Sequence, residues 1–308
     1  MPSKPLSQAP SGRFSSNIPP ARLVHLHMNQ LRTVSKIIPP QIAIEGAGVR
    51  LLRSIAPRVS NEFDPFLLFD HFAFNDPLEG PLRGFPMHPH RGIETVTYML
   101  EGATYHRDSL GNASLIGPGD VQWMSAGRGI LHEEMPRRSH NGNIYGFQLW
   151  VNLPSHLKMS TPRYREVTAD IIPTYENDGI RIRVVAGTVD DVTGPVRDIA
   201  ASPLYMDVEL DPGAEWLFPI PSGHTLIAYV FQGEGVFSGE TIDAVKMIKF
   251  SDGDHIAIKT ENHPVRFMLM AGAPFKEPIV PYGPFVMNTI EEIQQTLKEL
   301  RDGTFIKE

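Results

Sequence analysis

Apolar residues along this chain come in short runs bounded by glycine, proline and polar turn residues, a rhythm that predicts strands rather than helices. Val49-Arg50-Leu51-Leu52-Arg53 reads as the first strand of a globular part that begins near Gly46. The run from Phe63 to Phe72 reads as a buried strand ending on the polar pair Asp70-His71, with His71 read as a hydrogen-bonded rim residue in preference to an outer partner of a functional site. Thr95-Val96-Thr97-Tyr98-Met99-Leu100 is β-branched and aromatic and enters a turn at Glu101-Gly102. Gly117-Pro118-Gly119-Asp120 makes a second turn before Val121-Gln122-Trp123-Met124, and Tyr145 to Leu153 alternates as a strand lining the same barrel. Trp123, Phe147 and Trp150 read as barrel filling rather than a substrate platform. The period changes at the C-terminus. There Thr289 and Glu292 form a capping box, Ile290, Ile293, Leu297 and Leu300 give a helical stripe that docks on a barrel, and Gly303 stops the helix.

The strand pattern occurs twice. Aligning Tyr98-Met99-Leu100-Glu101-Gly102 with Tyr229-Val230-Phe231-Gln232-Gly233 sets Gly119-Asp120 opposite Gly253-Asp254. The fold class expected is therefore all-β, two tandem antiparallel barrels of the jelly-roll kind with a short C-terminal α-helix. The expected boundaries are a disordered tail at 1–44, barrels at 45–165 and 166–288, and the helix and tail at 289–308.

Side chains two apart on a strand share a face, so His88 projects with His90, and His132 with Glu134. Two such pairs, each beside turn glycines, can face each other across a barrel and close around one metal ion. Glu133 has the opposite parity and should face away. Glu94 shares the parity of His90 and should point at the metal cavity, as a candidate general base or as a partner holding a ligand imidazole. In the second repeat, counting from the aligned glycines puts Pro219 and Pro221 where His88 and His90 stand, and Arg266 and Met268 where His132 and Glu134 stand. That barrel is expected to lack metal ligands, with His224, His255 and His263 as surface residues. His25-Leu26-His27 repeats the spacing without turn glycines or a partner pair and reads as incidental.

The segment from Gly84 to His132 resembles the two cupin motifs, and HPHRGIETVTYMLEG, GDVQWMSAGRGILHEEMP, FQLWVNLP and GPFVMNT resemble the pirin family of two-cupin proteins over the chain from about Glu45 onward. The resemblance implies metal ligands at His88, His90, His132 and Glu134 and iron as the usual ion. It also implies that Glu94, where many other cupins place their carboxylate ligand, is not one. It further implies quercetin 2,3-dioxygenase activity on a flavonol and O₂, with loss of carbon monoxide. The competing implication is a redox-sensing protein that binds a transcription factor or a metabolic enzyme without turnover.

Composition narrows these readings. The chain has 308 residues, long for one core and suited to two domains. A net charge of -7 gives no electrostatic footprint for direct nucleic-acid binding. With no cysteine there are no disulfides and no thiolate ligands, which fits a reducing cytosol, and the nucleus as well in a eukaryote. Apolar runs such as Leu226 to Phe231 are too short to cross a bilayer. A monomer is expected. Residues 1–44 carry Lys4, Arg13, Arg22, Arg32 and Lys36 but no acid, and the first half is rich in Pro and Ser. That composition leaves three readings open: an organelle transit peptide, a disordered extension, or an upstream start used in place of Met28. The prolines weigh against the amphipathic helix that transit requires.

Three neutral imidazoles and a carboxylate leave a divalent ion net positive, with two open positions at octahedral geometry. Zn²⁺ is satisfied by four ligands, whereas Fe²⁺ can take a substrate oxygen and O₂ side by side. Fe(II) is the ion the resemblance implies; the donor set also suits Mn, Ni, Cu and Zn.

Overall fold

A computed structural model describes residue 1, residues 30–74 and residues 83–307. His25-Leu26-His27, Met28 and most of the expected tail lie outside the described residues. The N-terminal half contains β1 (Val34–Ile38), β2 (Gln41–Glu45), β3 (Val49–Ile55), β4 (Phe66–Phe74), β5 (Phe85–His90) and β6 (Ile93–Glu101). It continues with β7 (Ala103–Asp108), β8 (Ala113–Ile116), β9 (Val121–Ser125), β10 (Ile130–Arg137), β11 (Ile144–Asn152) and β12 (Arg163–Val167). Seven of these form one antiparallel sheet in the order β12-β9-β6-β11-β4-β3-β2, and four form the opposing sheet β5-β10-β7-β8. The second half repeats the plan. Ile180–Ala186, Leu204–Leu210, Val265–Gly272, Thr225–Phe237 and Lys246–Phe250 lie side by side, while Glu215–Pro219 pairs with His255–Lys259 in the facing layer.

Two differences from the sequence expectation have clear causes. Residues 31–44 were expected in a tail, yet β1 pairs with Lys246–Phe250 of the second barrel and β2 with β3 of the first. Arg32 anchors this arm. Its guanidinium is fully buried and donates to the carbonyls of Pro221, His224 and Ser251. Composition cannot show that an arginine will find three carbonyls about 190 to 220 residues away. The second difference is the register of the duplication. Gly253-Asp254 precedes His255–Lys259, which occupies the place of β10, whereas Gly119-Asp120 precedes β9. Arg266 and Met268 therefore sit on a central strand matching β11, not on the counterpart of β10. The interior positions of the second barrel are taken by Trp216, Phe218, Ile256 and Ile258, all apolar and buried. Pro219 is exposed. The residues counted as the ligand positions of this barrel were therefore the wrong ones.

The barrels are joined through their large sheets. Alternation on β6 sends Val96 and Tyr98 outward into a core shared with Tyr205, Ile227, Tyr229, Met268 and Met270 of the second barrel. Thr95 and Thr97 take the opposite face. Polar groups cross the same interface: Tyr98 Oη donates to Asp207 at 2.6 Å, and Arg183 donates to Tyr98 Oη at 3.0 Å.

His71 belongs to this interface and not to a rim. It is 2% exposed, its Nδ1 lies 2.8 Å from Tyr229 Oη, and Tyr145 and Phe147 surround the ring. Burial pulls its pKa down to about 4, from 6.5. The unfolded chain binds this proton below pH 6.5 while the folded chain refuses it until about pH 4, so stability is complete above 6.5 and declines as pH falls between those values. The difference corresponds to roughly 3 kcal/mol. His71→Phe, which keeps the ring but not the titration, should flatten the acid limb of stability from pH 6.5 to 4 measured by urea unfolding. An unchanged pH slope would show that His71 is not the proton acceptor in the unfolded chain that sets it.

Candidate metal centre

β5 and β10 lie side by side with His88 opposite His132. The extended backbone of His88-Pro89-His90 points both imidazoles to one face. On β10, His132 takes the same interior face. The outcome is a cluster in which one ligand atom from each of His88, His90 and His132 lies within 4.8 Å of the others. Ring centroids are 4.3 Å apart for His88 and His132 and 4.9 Å apart for each of the other two pairs.

The protons on these rings are fixed by their neighbours. His88 Nδ1 sits 2.9 Å from the Pro86 carbonyl and His90 Nδ1 sits 3.2 Å from the Pro284 carbonyl. A carbonyl only accepts, so each Nδ1 carries the proton and each neutral ring leaves a lone pair on Nε2. Those two Nε2 atoms are 3.1 Å apart. When both rings are neutral, neither can donate to the other, and two lone pairs face each other at hydrogen-bond distance. His132 adds a third unsatisfied group: both of its ring nitrogens are buried without a partner. Three convergent, proton-free nitrogens fit a borderline divalent cation. Burial helps. Desolvation, with a smaller contribution from His88, pushes the His90 pKa down to about 3, and desolvation also lowers His132 well below its ordinary value. Both rings thus keep their lone pairs through the mildly acidic range.

Glu134, the expected fourth ligand, faces the same interior one step along β10, 8% exposed. It stands outside the group formed by the three histidines, and its carboxylate accepts from Thr97 Oγ1 at 3.0 Å. Glu133 pairs with Arg107 at 3.0 Å on the other face, as its parity requires.

The expectation for Glu94 is corrected. Glu94 is opposite Ser125 and shares its face with Val96, which is opposite Trp123; its carboxylate accepts from Trp123 Nε1 at 3.2 Å. Thr97 and Gln122, of the other parity, are the residues that bond toward Glu134 and His106. Glu94 therefore points away from the histidines into the shared core. Counting by twos from His90 fails because β5 ends there. The chain turns through Gly92, at φ +78°, before β6 begins in the other sheet. Burial raises the Glu94 pKa to about 7, partly opposed by the Trp123 hydrogen bond.

Several residues around the site were not singled out by sequence. His106 stacks against Tyr164, its Nε2 meets Asp108 at 3.1 Å and its Nδ1 meets the Gln122 amide at 2.9 Å, so both nitrogens are engaged. Its Tyr-His-Arg-Asp strand pattern was the available signal. Trp150, expected to fill the barrel, does pack half-buried against the cluster of Leu67, Ile93, Met124 and Ile130, and it also sets its ring edge-on to His90 at 5.1 Å. Among the described residues, no helix is long and apolar enough to cross a membrane.

Comparison with known proteins finds matches over both halves of the chain. The profile of the Pirin family matches residues 48–151, and that of the Pirin C-terminal cupin domain matches residues 205–306. A pirin-like protein of Caulobacter vibrioides is 42% identical over 277 residues, covering 89% of this chain and 99% of that one. Human pirin is 42% identical over 268 residues, covering 84% of this chain and 89% of its own. The crystal structure of a quercetin 2,3-dioxygenase from Acinetobacter baumannii superposes with a TM-score of 0.82 at 32% identity, covering 89% of this chain and 98% of that one.

Proposed function

The chain belongs to the pirin family, and from that premise we propose that it is a metal-dependent, ring-cleaving dioxygenase of the quercetin 2,3-dioxygenase type. The observation that carries the reading is the convergence of three histidine lone pairs that have no other use. His88, His90 and His132 would hold one divalent ion, in this reading Fe(II), with Glu134 as the anionic fourth ligand. When bound, the ion supplies Lewis acidity toward an ionised flavonol hydroxyl and one-electron chemistry toward O₂.

The protein's own groups do the remaining work. The carbonyls of Pro86 and Pro284 hold two imidazoles in the tautomer that presents Nε2. Trp150 forms an aromatic wall beside His90, suited to a flat polycyclic substrate. Thr97 Oγ1, 3.0 Å from Glu134 Oε1 and 2.8 Å from Gln148 Oε1, is the hydroxyl donor beside Glu134. Glu94 takes no part, since it lies behind the sheet.

The test is metal analysis under anaerobic conditions followed by O₂ uptake with quercetin. Iron-loaded protein should consume O₂ and release carbon monoxide in step with quercetin loss, and His88→Ala should do neither. Iron-loaded wild-type protein that takes up no O₂ with quercetin would overturn the dioxygenase reading and leave the non-enzymatic, redox-responsive one.

A further inference from the structure

Two buried basic side chains next to the metal centre are not accounted for by ligand chemistry. Lys158 and Arg91 are each 1% exposed. A buried charge is retained only when its hydrogen-bonding capacity is met, so its partners show what it holds. Lys158 Nζ donates to the carbonyl of Gly92 at 2.9 Å, to Asn152 Oδ1 at 2.8 Å and to the carbonyl of Val286 at 2.7 Å, using all three of its protons. Arg91 donates to the Arg128 carbonyl at 2.6 Å, to Thr296 Oγ1 at 3.0 Å and to Glu299 at 2.6 Å, and its guanidinium lies over the Phe305 ring.

Arg91 and Gly92 directly follow the ligand His90. Their partners in the C-terminal segment, Val286, Thr296, Glu299 and Phe305, belong to the strand Phe285–Met287, to α1 (Ile290–Arg301) or to the residues after it. The contact is close: Val286 N donates to the Arg91 carbonyl at 3.2 Å, and a Cβ on Gly92 would lie 2.2 Å from the Val286 carbonyl oxygen. The residue before Phe285 is Pro284, whose carbonyl receives the His90 Nδ1 proton at 3.2 Å. A segment nearly two hundred residues away thus reaches back to one metal-ligand ring and is stapled to the two residues that follow it.

We propose that the C-terminal segment from Pro284 to Phe305 is a working part of the metal centre, and that Lys158 and Arg91 are positioning residues. By fixing the Pro284 carbonyl against His90 Nδ1, they fix the tautomer and rotation that turn Nε2 toward the ion. Loss of such an outer partner typically weakens metal binding by about 10- to 100-fold without removing a ligand. The inference rests on the metal-binding reading above and is independent of whether the loaded protein turns over.

The experiment titrates the full-length, metal-stripped chain with Co²⁺ and reads the dissociation constant and the visible absorption of the bound ion. Lys158→Met keeps the aliphatic stem and removes the three anchoring bonds; it should weaken Co²⁺ binding about 10-fold. It should also speed exchange of the His90 Nδ1 proton, seen as a paramagnetically shifted resonance. Thr296→Ala, which removes a single Arg91 partner, is the milder variant and should shift binding in the same direction by less. Asp207→Ala, which disturbs the contact between barrels and does not touch the C-terminal segment, should leave Co²⁺ affinity unchanged and so separates positioning from general destabilisation. Unaltered Co²⁺ affinity in both Lys158→Met and Thr296→Ala, or an equal loss in Asp207→Ala, would overturn the proposal. Failure of the wild-type chain to bind Co²⁺ would overturn the metal reading itself.

Discussion

His132→Ala will come through metal loading with no stoichiometric ion, while Glu133→Ala will keep its full complement. The two residues are neighbours in sequence and differ in the face they occupy. His132 is fully buried with both ring nitrogens unpartnered, and it lies against His88 and His90. Removing it takes away a neutral nitrogen donor from a set of three, and the remaining His88–His90 pair cannot surround an ion. Glu133 pairs with Arg107 on the outer face, so its loss costs only a partly exposed ion pair, about 0–1 kcal/mol of stability. The measurement is metal content per chain after loading and gel filtration. Full retention in His132→Ala would show that the ion sits elsewhere. Loss in Glu133→Ala would show that the parity of β10 does not govern the site.

Asp207→Ala should be the most destabilising single change at the contact between the barrels, by about 3–5 kcal/mol in urea unfolding. Asp207 is 3% exposed and accepts from Tyr98 Oη at 2.6 Å, from Arg266 Nε at 2.9 Å and from Arg266 Nη2 at 2.6 Å. Tyr98 comes from the first barrel and Arg266 from the second, so one carboxylate neutralises a cation and ties the two halves. Truncation leaves the Arg266 charge without its bidentate partner and removes the acceptor of a buried hydroxyl, and both costs exceed the worth of the pair itself. Tyr98→Phe removes two hydrogen bonds, to Asp207 and from Arg183, but leaves the Arg266–Asp207 pair intact, and should cost about 1–3 kcal/mol. Equal, small effects for the two variants would mean that water satisfies Arg266 in the native state.

The course of the chain was legible wherever local rules decide it. Apolar and β-branched runs bounded by turn residues located β3, β4, β6, β9 and β11 to within a few residues, since a sheet with one face in the barrel and the other in a core is buried on both sides. The capping box of Thr289 and Glu292 is present and α1 begins at the next residue. Strand parity put His88 with His90, made His132 face them, and turned Glu133 away, because each pair lies within one uninterrupted strand.

Tertiary structure decided what parity cannot carry across a break. Glu94 lies four residues from His90 but in the other sheet, past the Gly92 turn, and a change of sheet resets which face an even count reaches. Nor does sequence distance record long-range polar contacts. Arg32 finds three carbonyls of the second barrel, and the Pro284 carbonyl finds His90, through packing that exists only after both barrels have formed. Sequence by itself therefore determined the strands, the shared face of His88 and His90 and the capped helix, each set by neighbours on the chain. Which face a buried carboxylate takes, and which distant backbone holds the His90 ring, were settled by the fold, because hydrogen-bond partners of buried groups are chosen in space and not along the chain.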